Sequence, residues 1–253
     1  MATYGLVGKS LSHSFSKRYF EEKYGFNKPE SSNSYLNFEL ASIDAITSML
    51  QSHPDLAGFN VTIPYKNEII PYIDQMSADA AQIGAVNVIK VVNDHSTGIK
   101  RLEGYNTDHL GFKAAIMPLI RSSQTTAIVI GNGGASDSVR FALEGMGIEH
   151  VCCCRNPKRT DDIEFTQLTQ RHFEKYKILI NTTPLGTWPE ISQMPPIPFQ
   201  FIDESHLVFD LVYNPEETML MRESRLRGAV VSNGLQMLRN QADLALQIWG
   251  LKS

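Results

Sequence analysis

The stretch NVTIPYK, from Asn60 to Lys66, gathers polar side chains at one end of a predicted strand. Apolar and polar residues alternate up to Pro64, and proline ends the strand because it has no amide hydrogen for a sheet ladder. Asn60, Thr62 and Lys66 are therefore predicted to lie together at the strand end. A lysine there could stabilise negative charge on a substrate oxygen and supply a proton. Because most exposed lysines are plain surface charge, the pattern alone leaves both interpretations open.

A glycine turn in the second half, IGNGGAS, lies between a predicted strand and a predicted helix. Gly131 allows the tight turn, and Gly133 and Gly134 let the backbone approach a pyrophosphate at the helix N-terminus. The spacing departs from the usual GxGxxG pattern because Ser136 occupies the third glycine position. A purely structural turn is the alternative.

The next predicted strand ends at Cys154, where NAD-binding folds usually carry an acidic residue for the ribose hydroxyls. The sequence RNPKR follows instead, and its three cations suit a phosphate dianion. This predicts NADP rather than NAD, with Arg155 and Arg159 on the 2′-phosphate. The alternative is a basic surface loop. Asp137, just after the glycine turn, would weaken phosphate binding if it faced the cofactor, and would merely favour the helix N-terminus if it did not.

Composition narrows the class of protein. The chain has 253 residues, 42% of them hydrophobic, and a net charge of −4, which gives no reason to expect a nucleic-acid partner. No apolar run approaches the length of about 18 residues that a membrane helix needs. The start, MATYGLVGKS, lacks a hydrophobic signal region, which predicts a cytoplasmic protein. The only cysteines are consecutive, 152–154, and are expected to be reduced residues of a strand, with no metal site.

The wider pattern predicts two α/β parts. In the first, strands over 4–8, 35–40 and up to Pro64 alternate with helices that Ser16 and Ser42 can cap, and residues 86–92 and 97–102 form a hairpin turned at 93–96. In the second, a helix over 107–120 precedes short apolar strands that alternate with helices. Such a series predicts a parallel sheet covered on both faces. The predicted strands are 127–130, 150–154, 178–180, 207–211 and 229–231, and the predicted helices are 136–146 and 234–249.

Eight segments match, in order, the motifs of one enzyme family: GKSLSHSFS (8–16), NVTIPYK (60–66), GAVNVI (84–89), GYNTDHLGF (104–112), IGNGGAS (130–136), NTTPLG (181–186), DLVYNP (210–215) and NGLQMLRNQA (233–242). The chain thus resembles the shikimate dehydrogenase family over nearly its whole length. The resemblance implies an N-terminal α/β substrate-binding domain, 1–105, completed by the C-terminal helix, 234–253. It also implies an NADP-binding Rossmann-type parallel-sheet domain, 106–233, with the substrate in the cleft between the two domains.

The activity implied is the NADPH-dependent, reversible reduction of 3-dehydroshikimate to shikimate in chorismate and aromatic amino acid biosynthesis. Lys66 would be catalytic, with Asp108 of the NTD motif as its partner. The substrate-binding residues implied are Ser14, Ser16, Thr62, Asn87, Tyr213 and Gln241. The cofactor-binding residues implied are Gly131, Asn132, Gly133, Gly134, Ala135, Arg155, Arg159, Thr182, Leu211 and Gly234.

Two alternatives remain open. One is a quinate/shikimate dehydrogenase with relaxed cofactor use. The other is a non-catalytic NADPH-binding sensor on the same scaffold, which would be expected to have lost Lys66 or Asp108, yet both are present. The expected partner is a small-molecule substrate, with neither nucleic acid nor membrane, and the protein is either a monomer or a homodimer.

Overall fold

The computed structural model describes residues 2–11, 15–93 and 100–251. The chain divides into two compact units, Met1–Thr107 with Ala242–Ser253, and Asp108–Gln241. The first unit contains strands β1 (Ala2–Gly8), β2 (Asn33–Glu39), β3 (Leu56–Val61), β4 (Gln75–Met76), β5 (Val88–Asn93) and β6 (Lys100–Tyr105), with helices α1 (Phe15–Tyr24), α2 (Ile46–Ser52) and α3 (Ala78–Ile83).

The second unit contains a longer alternating series. Its elements are α4 (Asp108–Ile116), β7 (Thr126–Ile130), α5 (Gly134–Gly145), β8 (Glu149–Cys154), β9 (Ile163–Glu164), α6 (Gln170–Lys175), β10 (Ile178–Asn181), β11 (Leu207–Asp210), α7 (Met219–Arg225) and β12 (Val230–Ser232). The last helix, α8 (Leu235–Ile248), contributes residues to both units. In the described ranges, no helix has the length and apolar character needed to cross a membrane.

The first unit is built on a mixed sheet with the strand order β2-β1-β3-β5-β6-β4. Strand β1 runs parallel to β2 and β3, and its residues from Thr3 to Gly8 are buried because the strand lies between two neighbours and packs on both faces. The predicted hairpin is confirmed, since β5 and β6 are antiparallel and Asn93 pairs with Lys100. Asn93 is the last residue of β5, and the rest of the predicted turn lies outside the described residues.

The start of α1 differs from the prediction. The helix begins at Phe15, so Ser16 lies in its first turn and does not cap it. The rings of Phe15 and Tyr19 stack with centroids 5.5 Å apart, and this contact four residues along the helix favours a helical Phe15. The predicted cap at Ser42 is confirmed, because its side chain accepts a hydrogen bond from the Asp44 amide at the 3₁₀ turn that leads into α2.

The second unit is built on a fully parallel sheet, as predicted. Its order is β12-β11-β10-β7-β8-β9, so chain order reverses between β7 and β10. Strands β10 and β11 are buried at every position, as expected where helices cover both faces. A doubly wound parallel sheet with this order binds ligands where the order reverses, beyond the carboxyl ends of its strands. Helix α5 begins at Gly134, two residues earlier than predicted.

Candidate active site

The glycine turn lies where the order of the parallel sheet reverses. Gly131 follows β7 with φ 109°, a conformation that strongly favours glycine. A Cβ on Gly131 would lie 2.7 Å from Oγ1 of Thr182, the residue that follows β10. The hydroxyl of Thr182 donates to the carbonyl of Ile130 at 2.7 Å. The fold therefore brings together Gly131 and Thr182, two predicted cofactor residues far apart in the sequence.

The turn leads directly into α5. Gly133 occupies the N-cap position with extended backbone, and a Cβ there would meet no atom within 4 Å. Gly134 and Ala135 are the first residues of the helix. The free amides of a helix N-terminus attract anions, and the open space at Gly133 lets a ligand approach the backbone closely. This geometry suits the pyrophosphate of a dinucleotide.

The basic loop after β8 lies against the glycine turn. The side-chain amide of Asn132 donates to the carbonyl of Asn156 at 2.7 Å, and Nζ of Lys158 donates to the carbonyl of Asn132 at 3.2 Å. Arg155 is exposed, whereas Arg159 forms an ion pair with Asp137 at 3.1 Å. Asp137 therefore faces the predicted phosphate site and offsets part of its positive charge.

The carboxyl end of β11 holds a buried acid. The carboxylate of Asp210 accepts hydrogen bonds from Asn181 Nδ2 at 2.9 Å, from the Val212 amide at 3.0 Å and from the Thr218 hydroxyl at 2.6 Å. Burial raises the pKa of Asp210 to about 6, although these hydrogen bonds oppose the rise. The acid thus fixes the backbone that follows β11, which carries the predicted residues Leu211 and Tyr213.

Leu211 also meets the segment before α8. A Cβ on Gly234 would lie 2.0 Å from the carbonyl oxygen of Leu211, so only glycine fits at this position. The structure brings together these two predicted cofactor residues through backbone contact. Tyr213 is half-buried, and Gln241 on α8 is 8% exposed and lies against Gly111 of α4.

In the first unit, a chain of hydrogen-bonded polar groups begins at the half-buried Ser16. Its side chain hydrogen-bonds the phenol of Tyr35, which donates to Oδ1 of Asn60 at 2.8 Å. Burial raises the pKa of Tyr35 well above its usual value, so this phenol stays neutral. Asn60 in turn donates to the carbonyl of Asn87 at 3.4 Å. Ser16 and Asn87 are thereby linked, while Ser14 lies outside the described residues.

Asn87 makes further hydrogen bonds to Thr107. Its Oδ1 accepts from the Thr107 amide at 2.7 Å, and its Nδ2 donates to the Thr107 hydroxyl at 3.0 Å. Thr62 lies at the neighbouring strand end, where its amide donates to the carbonyl of Val7 at 2.9 Å. Tyr35, Asn60 and Thr107 were not predicted as site residues. Asn60 stands inside the NVTIPYK motif, but no spacing rule pointed to Tyr35.

The two predicted catalytic residues belong to different units. Lys66 is half-buried in the first unit, and its carbonyl accepts from the Val86 amide at 2.8 Å. Asp108 is 4% exposed and is the first residue of α4 in the second unit. A carboxylate in the first turn of a helix is stabilised by the helix dipole. The pairing of Lys66 with Asp108 stays a prediction.

The three consecutive cysteines are buried free thiols of β8, as predicted. Sγ atoms of Cys152 and Cys154 lie within 4.8 Å of a carboxylate oxygen of Asp162, which brings together three atoms of the type that bind metals. Burial raises the pKa of Cys152 to about 12, and metal ligation requires the thiolate. Asp162 is already bonded to the Arg140 guanidinium. This chemistry suits a protonated, hydrogen-bonded interior.

The parallel sheet, the glycine turn at its reversal point and the adjacent basic loop define an α/β protein with a dinucleotide-binding unit of the Rossmann type. A family model described as the shikimate dehydrogenase substrate binding domain matches residues 6–89. A shikimate dehydrogenase (NADP(+)) of Methanococcus vannielii is 32% identical over 265 residues, 97% of this chain and 90% of the relative. The chain belongs to the shikimate dehydrogenase family.

Further comparisons agree with this assignment. A shikimate dehydrogenase (NADP(+)) of Desulforamulus reducens is 33% identical over 267 residues, 97% of this chain and 88% of the relative. Among solved structures, shikimate 5-dehydrogenase of Thermus thermophilus, in complex with NADP(H) and shikimate, has a TM-score of 0.82 and 30% identity. That match covers 99% of this chain and 94% of the Thermus chain.

Proposed function

We propose that the chain catalyses the NADPH-dependent, reversible reduction of 3-dehydroshikimate to shikimate, a step of chorismate and aromatic amino acid biosynthesis. The observation that carries the proposal is the similarity, over nearly the whole length, to enzymes named shikimate dehydrogenase (NADP(+)). The chain also keeps Lys66 and Asp108, which a non-catalytic sensor would have no reason to retain. The proposed location is the cytoplasm. The proposed substrate is a small molecule, and the protein is proposed to be a monomer or a homodimer.

The second unit fits NADP by its own features. The space at Gly133, which a Cβ would fill, admits a pyrophosphate to the start of α5. Beside it, the loop with Arg155 and Arg159 offers guanidinium groups to a 2′-phosphate. Thr182, Leu211 and Gly234 lie at the carboxyl edge of the same sheet, where they would contact the rest of the cofactor. When bound, NADPH supplies the hydride.

The first unit supplies the groups for the substrate. Ser16, together with Ser14, would bind the carboxylate, and Thr62 and Asn87 would hydrogen-bond the ring hydroxyls. Along the polar chain from Ser16 to Asn87, the residues Tyr35, Asn60 and Asn87 are buried and hydrogen-bonded, so their side chains are held in place before the substrate arrives. Tyr213 and Gln241, which belong to the second unit, complete the proposed set.

Lys66 carries the chemistry that the protein must provide. As the carbonyl carbon gains a hydride, negative charge develops on its oxygen, and the Lys66 ammonium stabilises that charge. The same ammonium donates a proton to the oxygen, which becomes the hydroxyl of shikimate. Asp108 orients the ammonium and accepts a hydrogen bond from a neighbouring substrate hydroxyl.

The experiment that tests the proposal measures initial rates of purified protein with shikimate and with quinate, each with NADP⁺ and with NAD⁺. We expect the highest kcat/KM for shikimate with NADP⁺. A preference for quinate or for NAD⁺ would favour the quinate/shikimate dehydrogenase. Binding of NADPH without turnover of any pair would favour the sensor.

A further inference from the structure

The basic loop after β8 is shaped from inside the second unit by one carboxylate. Oδ2 of Asp162 accepts hydrogen bonds from the backbone amides of Lys158 and Arg159, both at 3.1 Å. The Asp162 side chain is only 1% exposed, although the loop residues 155–160 are all exposed. The carboxylate therefore fixes the backbone of the loop from its buried side while the arginine side chains stay in solvent.

A buried cation holds that carboxylate in turn. Nη1 of Arg140 donates to Oδ1 of Asp162 at 2.7 Å, and its Nη2 donates to Asp161 at 3.1 Å. The Arg140 side chain is 3% exposed, and its Nε donates to Nε2 of His150 at 3.3 Å. Burial and the nearby guanidinium lower the pKa of His150, so the imidazole is a neutral acceptor. Each of the three guanidinium nitrogens of Arg140 therefore has a partner.

The charge state of Asp162 agrees with this arrangement. Burial alone would raise its pKa, but hydrogen bonds from Lys158, Arg159 and Arg140 outweigh the burial and lower the pKa. The ion pair therefore persists at neutral pH. Arg140 lies on α5, the helix that begins at the glycine turn, so the pair connects that helix to the basic loop.

We infer that the buried Arg140–Asp162 pair positions the basic loop and thereby sets the preference of the protein for a 2′-phosphorylated dinucleotide. The inference rests on the proposed function, because it assumes that the loop receives the 2′-phosphate of NADP. Neither residue touches the cofactor in this account. Arg140 and Asp162 act through the loop backbone, so they are positioning residues.

A loop that is ordered before the ligand arrives binds it at a lower entropic cost. An exposed loop of charged side chains loses conformational entropy when it must order around a ligand, and prior ordering removes much of that loss. Here the backbone amides of Lys158 and Arg159 donate to the buried Asp162 carboxylate, and the carbonyl of Asn156 accepts a hydrogen bond from the Asn132 side chain. A phosphate would meet a loop whose backbone is already in place.

The test measures binding of two fragments by titration calorimetry with the full chain. Adenosine 2′,5′-bisphosphate carries the 2′-phosphate, and adenosine 5′-monophosphate lacks it. We expect Asp162→Asn to weaken binding of the bisphosphate about tenfold, the lower limit for one charge-assisted hydrogen bond, and to change binding of the monophosphate less than twofold. Arg140→Lys, which keeps the charge, should restore most of the affinity that Arg140→Met loses.

Asp203→Asn, at an exposed acid of the same unit, is the control for the substitution itself. Asp203 accepts hydrogen bonds from the amide and the hydroxyl of Ser205 ahead of β11, at the amino end of the same sheet, away from the carboxyl edge that carries the loop. The Asp203→Asn substitution makes the same chemical change in the same unit and should leave the affinities for both fragments unchanged. Thermal unfolding of each variant shows which of them remain folded. Arg140→Lys keeps the positive charge and is therefore expected to lower the unfolding temperature less than Arg140→Met.

The outcomes separate the inference from the proposed function. The inference is overturned, and NADP binding stands, if Asp162→Asn is folded and binds the bisphosphate as the wild type does. If Asp162→Asn is unfolded, the same result for Arg140→Met overturns the inference. An equal loss for both fragments also overturns it, because the pair would then support the whole unit and not the phosphate loop. A wild-type protein that does not distinguish the two fragments contradicts the proposed cofactor itself.

Discussion

The ion pair between Asp137 and Arg159 sets how much positive charge the loop presents. The Arg159 side chain is 48% exposed and Asp137 20% exposed, so solvent screens the pair and its contribution is small. A 2′-phosphate approaching Arg159 would nevertheless be repelled by the Asp137 carboxylate. The same side chain thus orients the arginine and opposes the ligand.

We expect Asp137→Asn to lower KM for NADP⁺ about twofold to fivefold, the range that corresponds to an exposed charge interaction of about 0.5–1 kcal/mol. KM for NAD⁺ should not change, because NAD⁺ lacks the 2′-phosphate. The gain should shrink at high salt, which screens exposed charges. Steady-state kinetics with both cofactors at two salt concentrations measures the effect, and a higher KM for NADP⁺ would show that orienting Arg159 matters more than repulsion.

Ser16 and Tyr35 should both affect the substrate and not the cofactor. Ser16→Ala removes a proposed hydrogen bond to the substrate carboxylate, a loss of about 1.5–3 kcal/mol, so KM for shikimate should rise about 10- to 150-fold. Tyr35→Phe leaves Ser16 in place but removes the phenol that links it to Asn60, and a smaller rise is expected.

The control for Tyr35→Phe is Tyr72→Phe, which removes a phenol bonded to the exposed Asp44 carboxylate in the same unit. KM for shikimate should be unchanged in this variant, and KM for NADP⁺ should be unchanged in all three. Normal shikimate kinetics in both Ser16→Ala and Tyr35→Phe would remove this polar chain from the substrate site.

Among the secondary structure elements, β11 joins stability to pH through Asp210. Its pKa is about 6 in the folded protein, against about 3.9 for an unfolded aspartate. Between these values the folded state binds more protons than the unfolded state, so this residue's contribution to stability falls as pH rises from about 4 through 6. At neutral pH, where Asp210 is ionised, its contribution to the free energy of unfolding is therefore smaller than at acid pH.

Asp210→Asn removes this titration. The free energy of unfolding of the wild type minus that of the variant should therefore be about 1 kcal/mol larger at pH 5 than at pH 7.5. Urea unfolding of both proteins at the two pH values gives the difference. If the difference instead grew with pH, the three hydrogen bonds to Asp210 would outweigh its burial and hold its pKa low.

The start of α8 tolerates no side chain. Gly234→Ala would place a methyl group 2.0 Å from the Leu211 carbonyl oxygen, and backbone cannot move aside as a flexible side chain can. We expect the free energy of unfolding of the variant to be at least about 1–3 kcal/mol lower than that of the wild type. Gly145→Ala, at the end of α5 in open space, is the control and should be neutral or stabilising. Equal unfolding temperatures for the two variants would contradict the close approach.

How far the sequence predicts these elements depends on their length and pattern. The strand, glycine turn and helix around Gly131 were predictable because an apolar run, turn-forming glycines and a helical pattern follow one another in the order that dinucleotide sites use, although the helix begins two residues earlier than predicted. Short elements such as β9 and α3 were not predicted, since a few residues carry no readable period. The contacts of Tyr35 and Asp162 were not predicted for another reason: Tyr35 bonds to Asn60 and Asp162 to Arg140, and only the fold brings these distant partners near.

At the scale of the whole molecule, the proposed reaction requires residues of both units. Lys66 belongs to the first unit and Asp108 to the second. If Asp108 acts through the lysine, removing both residues should lower the rate less than the sum of the two single losses in free energy. Kinetics of Lys66→Ala, Asp108→Ala and the double variant measure this coupling. Fully additive losses would mean that the two residues act independently.

The most direct test follows NADPH absorbance after 3-dehydroshikimate is added to the wild type and to Lys66→Met. Methionine keeps the apolar stem and removes only the charge and the proton. The wild type should oxidise NADPH, and kcat of the variant should be about 10²–10³ lower, with a smaller change in KM, because the lysine acts chiefly in the transition state. A wild type that leaves NADPH unchanged, or a variant that is folded by circular dichroism and keeps wild-type kcat, would contradict the account.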